Sequence, residues 1–500
     1  MELKDILKGL KEKKITPEQA KEEIKKLNSN YKSNEQECTP QEYTANDQVI
    51  AIIGISGRYP NASNIQEYWN NLEKGINGVR EIPNSRWNLE EYYDPDKNKE
   101  GKFYCKWMGM LDDIECFDSL FFEIPPSEAE SMDPQHRLFL QEGYKAFEDA
   151  GYSRTTLNNK KCGVYLGIIN GEYSGLSKQN GVENNSITGS SNAIGVARIA
   201  YYLNLKGPAI PIDTACSSSL VSTHLAIQSL VNGEIEMALV GGVSLYIDPE
   251  SYVGMCSAGM LSPDGKCKAF DNEANGFVPG ESVGAIVLKR LKDAQADHDH
   301  IYGVIIGSNI NQDGRTNGIT APNLGSQIQL ARDLYDRYNI NPETISYAEL
   351  HGTGTKLGDP IELEALSTAF KEKTDRKNFC EIGSVKNSIG HTSAAAAMAS
   401  IHKVLLCMQN KKLVPTLNVT KLNEHFDFKD SPFHVNTETK PWEQNGPYRA
   451  SVSAFGYSGT NAQAVIESYD ETAIQQLERK LSLMKSIRVY FYYQQETKHN

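Results

Sequence analysis

Three side chains carry the chemistry this sequence most clearly offers. Cys216 lies in Asp213-Thr214-Ala215-Cys216-Ser217-Ser218-Ser219-Leu220, after the apolar run Ala209-Ile210-Pro211-Ile212 and before an amphipathic stretch through Leu220, His224 and Ile227. A thiol at a helix N-terminus meets unsatisfied N–H groups and the positive end of the helix, which predicts a lowered pKa and a nucleophilic sulfur. The small residues around it leave room for a thioester. Taken alone, a cysteine in an apolar setting is as often an inert core residue. His351 opens His351-Gly352-Thr353-Gly354-Thr355 and His391 lies in Gly390-His391-Thr392. Each is predicted to end a strand beside glycines, where backbone can approach a ligand. The remaining histidines (136, 224, 298, 300, 402, 425, 434, 499) lack that context and read as surface or core. Lys386 sits at a predicted strand end among small residues, where the ordinary reading is a solvated loop lysine. Thr353 and Thr355 alternate with glycines, so both hydroxyls are expected to face one way, toward a polar substrate arm.

These residues need a frame. From Val49 to about residue 467, short apolar runs such as Ala51-Ile52-Ile53-Gly54, Gly163–Gly167, Ala238-Leu239-Val240 and Val304-Ile305-Ile306 alternate with amphipathic stretches. That alternation predicts a largely parallel α/β core. A strand, a tight turn and a reactive side chain at a helix start occur twice, at Ile210–Cys216 and at Ile382–His391, which suggests a duplicated fold. The ends differ from this core. Leu3, Ile6, Leu7 and Leu10 recur at helical spacing, and Thr16-Pro17-Glu18-Gln19 reads as a second helix start with a capping box. Residues 1–28 are therefore expected to form a short helical hairpin, read as a docking element for a partner chain. Residues 29–46 are polar and unpatterned, hence a linker. Residues 469–500 are unlike the core and read as the tail of a standalone or truncated fragment.

Composition narrows the function. With 51 Lys+Arg against 64 Asp+Glu the formal net charge is −13, so a phosphate-tracking nucleic-acid surface is not expected. No stretch approaches the roughly 20 apolar residues that cross a bilayer, and the N-terminus lacks a signal core. The nine cysteines contain no C-x-x-C pair, which argues against a metal site of that spacing and against a disulfide framework; a cytoplasmic setting is the default. Two motifs are decoys. Gly280-Glu281-Ser282-Val283-Gly284 matches a nucleophile elbow, but strand-like Ala285–Leu288 follows where a helix is required. Gly352-Thr353-Gly354-Thr355 completes no phosphate-loop pattern.

The blocks around Cys216, His351 (H-G-T-G-T-K-L-G-D-P) and His391 (G-S-V-K-N-S-I-G-H-T) resemble, in order, the three signatures of β-ketoacyl synthases, most closely the ketosynthase domains of bacterial modular polyketide synthases. Asp133–Arg137, Gly259–Gly265, Ile310–Gly318 and Phe455–Asn461 add to the likeness. It covers about residues 47–468, with halves meeting near 303 and 304.

The resemblance implies a thiolase-like α/β fold, two related halves in a five-layered αβαβα core, and a homodimer. It implies decarboxylative Claisen condensation of a Cys-bound acyl chain with malonyl-acyl carrier protein, in polyketide or fatty-acid-like biosynthesis. By the same resemblance Cys216 accepts the acyl chain, His351 and His391 hydrogen-bond the extender thioester carbonyl, and Lys386 supports decarboxylation electrostatically. The N–H groups of Cys216 and Tyr457 form the oxyanion hole, and Thr353 and Thr355 hold a phosphopantetheine arm carried by the partner acyl carrier protein; the chain itself is expected to bind no cofactor and no metal. Cysteine rather than glutamine at 216 argues against a pure decarboxylase. The alternatives are a non-extending acyl-transfer or scaffold domain of an assembly line, and a thiolase acting on coenzyme A thioesters, which would place a further cysteine late in the chain. Departures from the family pattern are Gln463 for a usual histidine, and Ala397, Ser400 and Ser282 for usual glycines. The added atoms of Ala397 and Ser400 are expected to crowd the packing behind His391.

Overall fold

Strand-forming runs of Val, Ile and Ala build one hydrogen-bonded network of eleven strands in the computed structural model, which describes residues 48–179, 186–444 and 446–470. The expected helices of 1–28, the linker 29–46 and the tail beyond 470 lie outside the described residues. Residues 44–444 with 448–468 make one compact unit, and it holds every element below.

The network strands, in chain order, are β1 (Ile50–Arg58), β2 (Cys162–Ile168), β3 (Ala209–Ile212), β4 (Met237–Ser244), β5 (Ser282–Arg290), β6 (Gly303–Gln312), β7 (Tyr347–Glu349), β8 (Cys380–Gly383), β9 (Phe433–Val435), β10 (Arg449–Phe455) and β11 (Thr460–Glu467). Their spatial order is β9-β8-β7-β10-β11-β6-β1-β5-β4-β2-β3. Counting strands within each half gives the same order outward from the seam, first-fifth-fourth-second-third, with β9 added at the far edge. The directions repeat too. In the first half β2 runs parallel to β3 and β4, and β5 antiparallel to β4 and β1. In the second, β7 runs parallel to β8 and β10, and β11 antiparallel to β10 and β6. Topology therefore shows the duplication that only the strand–turn–helix layout suggested in sequence. The two half-sheets join where Ile50, Ala51 and Ile52 of β1 pair with Ile305, Val304 and Gly303 of β6.

Helices cover the sheets in layers. Helices α1 (Pro134–Asp149) and α2 (Asn192–Leu203) pack on the first half-sheet, and α4 (Leu324–Arg337) packs on the second and carries α5 (Gly358–Lys371). Between the sheets lie α3 (Ser218–Val231) and α6 (Ala396–Asn410), which touch each other and strands of both halves. Burial on every side explains why α6 is apolar nearly all round: twelve consecutive residues, Ala397 to Met408, are buried, as expected of a central helix. Gly242 of β4 makes the close approach possible, since a Cβ there would lie 2.8 Å from Ala395 Cα and 2.9 Å from Ser219 Cβ.

Candidate active site

The two central helices begin alike. A 3₁₀ turn, Ala215–Ser217, leads into α3, and a second, Ser393–Ala395, leads into α6. Each turn opens on a residue in the left-handed region, Ala215 at φ 57° and Ser393 at φ 42°. The symmetric counterpart of Cys216 is thus Ala394, so only the first half carries a thiol at this position. The sequence layout had instead set Cys216 against the Lys386–His391 segment. Lys386 does not sit in a solvated loop: it opens the one-turn helix Lys386–Ile389 and is only 2% exposed. Nor does His391 end a strand. It follows that helix after Gly390, and its backbone pairs with the 278–280 segment through His391 N–H to Val278 O (2.7 Å) and Gly280 N–H to His391 O (2.9 Å).

The rings of His351 and His391 meet edge to face with centroids 5.5 Å apart. Each has its Nδ1 occupied by a backbone donor: Phe455 N–H donates to His351 Nδ1 and Ser393 N–H to His391 Nδ1, both at 3.3 Å. A neutral imidazole whose Nδ1 accepts must carry its proton on Nε2. Burial first, and the nearby Lys386 ammonium second, hold both rings well below the usual histidine pKa. The pair is therefore two neutral imidazoles, each with an Nε2–H that has no acceptor among the described residues.

Lys386 lies within electrostatic reach of Cys216, Glu349 and Glu362. Desolvation lowers its pKa, while those two carboxylates and the thiol oppose the shift. Desolvation also dominates Cys216, whose thiol is pushed up to about 11, against the pull of Lys386 and the N–H groups of Tyr457 and Cys216 itself. This corrects the sequence expectation of a lowered pKa. The helix start is present, but transfer of the sulfur from water to a largely enclosed site costs the anion more than the local donors return. The same two N–H groups approach the sulfur where the sequence placed the oxyanion hole; the Tyr457 side chain itself points outward, 57% exposed.

The His351 loop is held by two acids whose role sequence reasoning missed, although both lie in or just beyond its H-G-T-G-T-K-L-G-D-P block. Glu362 accepts the N–H groups of His351 (2.6 Å) and Gly352 (2.8 Å). Asp359 accepts those of Thr353 and Gly354 (3.2 Å each) and Phe270 (3.0 Å). Burial raises the Glu362 and Asp359 carboxyls to about 8 and about 6, with the backbone donors opposing. Their i, i+3 spacing on α5 was the available signal. The Thr353 and Thr355 hydroxyls lie 3.3 Å apart, so they do share a direction. A third buried acid, Glu349, accepts Val385 N–H (2.7 Å) and the Tyr347 hydroxyl (2.7 Å) and pairs with Lys403 (2.7 Å).

Among the residues that depart from the family pattern, Gln463 is buried in β11 and donates from Nε2 to Ser453 Oγ at 3.3 Å. Ala397 and Ser400 are buried in α6, and Ser282 opens β5. That placement at the start of a strand removes the nucleophile-elbow reading.

Two family models match, Beta-ketoacyl synthase, N-terminal domain, over residues 47–294 and Beta-ketoacyl synthase, C-terminal domain, over residues 302–420. This chain belongs to the β-ketoacyl synthase family. It is a ketosynthase domain of the modular polyketide synthase type, a condensing enzyme of the acyltransferase class, with the thiolase-like fold. It is 68% identical over 440 residues to polyketide synthase PksL of Bacillus subtilis strain 168, covering 88% of this chain and 10% of that protein. With PksM of the same strain it shares 44% over 460 residues, 91% of this chain and 10% of the relative. The ketosynthase from module 6 of the bacillaene synthase of Bacillus subtilis 168 superposes with a TM-score of 0.79 at 69% identity, covering 84% of this chain and 72% of that one. An oxazolomycin ketosynthase domain of Streptomyces albus JA3453 gives 0.82 at 38% identity, with 84% and 74% covered. The chain spans about a tenth of the length of the polyketide synthases it matches first.

Proposed function

We propose that this chain extends an acyl chain held on Cys216 by one malonyl unit delivered on an acyl carrier protein. The observation that carries the reading is the pair of neutral imidazoles, each with Nδ1 satisfied by backbone, that share with the Cys216 thiol the electrostatic reach of one buried Lys386.

In loading, Cys216 sulfur attacks the carrier-bound thioester; the N–H groups of Cys216 and Tyr457 stabilise the tetrahedral oxyanion, and the thiol proton leaves with the carrier's pantetheine sulfur. In condensation, the malonyl carboxylate departs as carbon dioxide and its electron pair remains on the α-carbon as an enolate. His351 and His391 donate to the enolate oxygen. Such preorganised donors are commonly worth about 3–4 kcal/mol each. The α-carbon attacks the Cys216 thioester carbonyl, the C–S bond breaks, and the released thiolate takes a proton from water. Lys386 stabilises the anionic stages. Thr353 and Thr355 hold the phosphopantetheine arm. That arm belongs to the carrier, and the reading needs no cofactor of the chain's own.

Two further features fit the setting. No described helix is long and apolar enough to cross a membrane, in keeping with a cytoplasmic site of action. Among the described residues strand β3 is a sheet edge, paired on one side only, with Ile210 40% exposed, and α2 beside it carries Tyr201 at 91%. An apolar edge of this kind calls for a partner, here a second copy of the chain.

Cys216→Ala should abolish both loading and product formation, read by intact-protein mass spectrometry and by release of carbon dioxide. His351→Ala and His391→Ala should load normally and lose condensation by about 100-fold or more. Product from the cysteine variant would overturn the assignment, as would loss of loading in both histidine variants.

A further inference from the structure

Tyr246 has its backbone clamped on both sides. Glu281, a fully buried carboxylate, accepts the Tyr246 N–H at 3.0 Å, and Arg86 donates to the Tyr246 carbonyl at 3.1 Å while pairing with Glu281 at 2.6 Å. Glu281 is anchored again by Leu111 N–H at 2.9 Å. So held, Tyr246 sends its phenol from the first half of the molecule to the second, where the hydroxyl lies 2.7 Å from Ser393 Oγ. Ser393 is the left-handed residue at φ 42° whose own N–H reaches His391 Nδ1. A non-glycine residue in that region costs roughly 1–2 kcal/mol and persists only where its surroundings hold it.

We propose that Tyr246 is a positioning residue for His391: its hydroxyl fixes the Ser393 side chain, which locks the turn whose N–H keeps His391 as the Nε2–H tautomer. The symmetric turn at Ala215 has no side-chain oxygen to tie down, and the residue after it is the nucleophile rather than a partner of a catalytic ring. The latch is thus specific to the half that carries His391. The Phe277 ring packs against that imidazole in a T-shaped contact at 5.1 Å, which restricts its orientation while the turn sets its tautomer.

This inference rests on the condensation reading for its kinetic arm but not for its spectroscopic one. In protein with ¹⁵N-labelled imidazoles, the His391 resonances, assigned by their absence in His391→Ala, should report the Nε2–H tautomer in the parent chain. In Tyr246→Phe they should report a mixture. That result stands even if the parent chain forms no product, an outcome that would sink the condensation reading alone. With an active parent, Tyr246→Phe should lower kcat for condensation roughly tenfold, the scale of one net hydrogen bond, with KM and Cys216 loading little changed. Ser393→Ala should match it, and Tyr246→Phe placed on His391→Ala should cost nothing more. An unchanged tautomer in Tyr246→Phe would overturn the proposal, and so would a full further loss in the His391→Ala background.

Discussion

In the proposed reaction Cys216 serves as nucleophile in one step and leaving group in the next, and its surroundings pull its acidity in opposite directions. Desolvation lifts the thiol to about 11, and the Lys386 charge opposes it. The sign of the pH effect follows: only the thiolate alkylates, so below that pKa the reactive fraction grows tenfold with each pH unit. Iodoacetamide labelling of Cys216 should therefore climb by about tenfold per unit from pH 7 to 10, without a plateau near neutrality. Lys386→Met removes a cation that favours the anion, so labelling should slow at every pH in that range. A plateau below pH 8, or faster labelling in the lysine variant, would show that desolvation does not govern the thiol. Cys216, His351 and His391 stood out as candidates because each sits in a compact local pattern. The burial of Lys386 was not legible, since its surroundings include Cys216 and Cys267, 170 and 119 positions away along the chain.

At the scale of elements, the turn between β10 and β11 must rest on the loop that presents the nucleophile. Gly456 in that turn leaves no room for a side chain: a Cβ would lie 2.2 Å from Thr214 O and 3.0 Å from Ser217 Oγ. Gly456→Ala should push the Tyr457 N–H away from the Cys216 sulfur. We expect a loss of about 1–3 kcal/mol in stability from overpacking, read by thermal or denaturant melting, and a fall in loading of about 100-fold from loss of one oxyanion donor. Loading that survives intact would detach Tyr457 from the oxyanion hole. Strand and helix positions were readable from apolar runs and helix starts. The one-turn helix before His391 was not, because four residues are too few to show a period.

Across the whole molecule, the repeated strand order places the starts of α3 and α6 side by side at the seam, which brings the turn that holds Cys216 against the turn that follows His391, 175 positions further along the chain. The outer edge of the first half, at β3, is the expected homodimer contact. Ile210→Glu should convert a dimer to a monomer in sedimentation velocity at micromolar concentration, because it buries a charge in an apolar edge. A parent chain that sediments as a monomer would remove that edge as an interface.

The residue types and their order along the chain already determined the family and the α/β class, and singled out Cys216, His351 and His391 as candidates, because those depend on short-range pattern. Only the folded molecule decided the protonation and tautomer of the two imidazoles, the raised thiol pKa, the buried state of Lys386, and the acids Asp359 and Glu362 that hold the His351 loop. Each of these depends on desolvation or on a hydrogen bond whose direction is set in three dimensions, and spacing along a chain encodes neither.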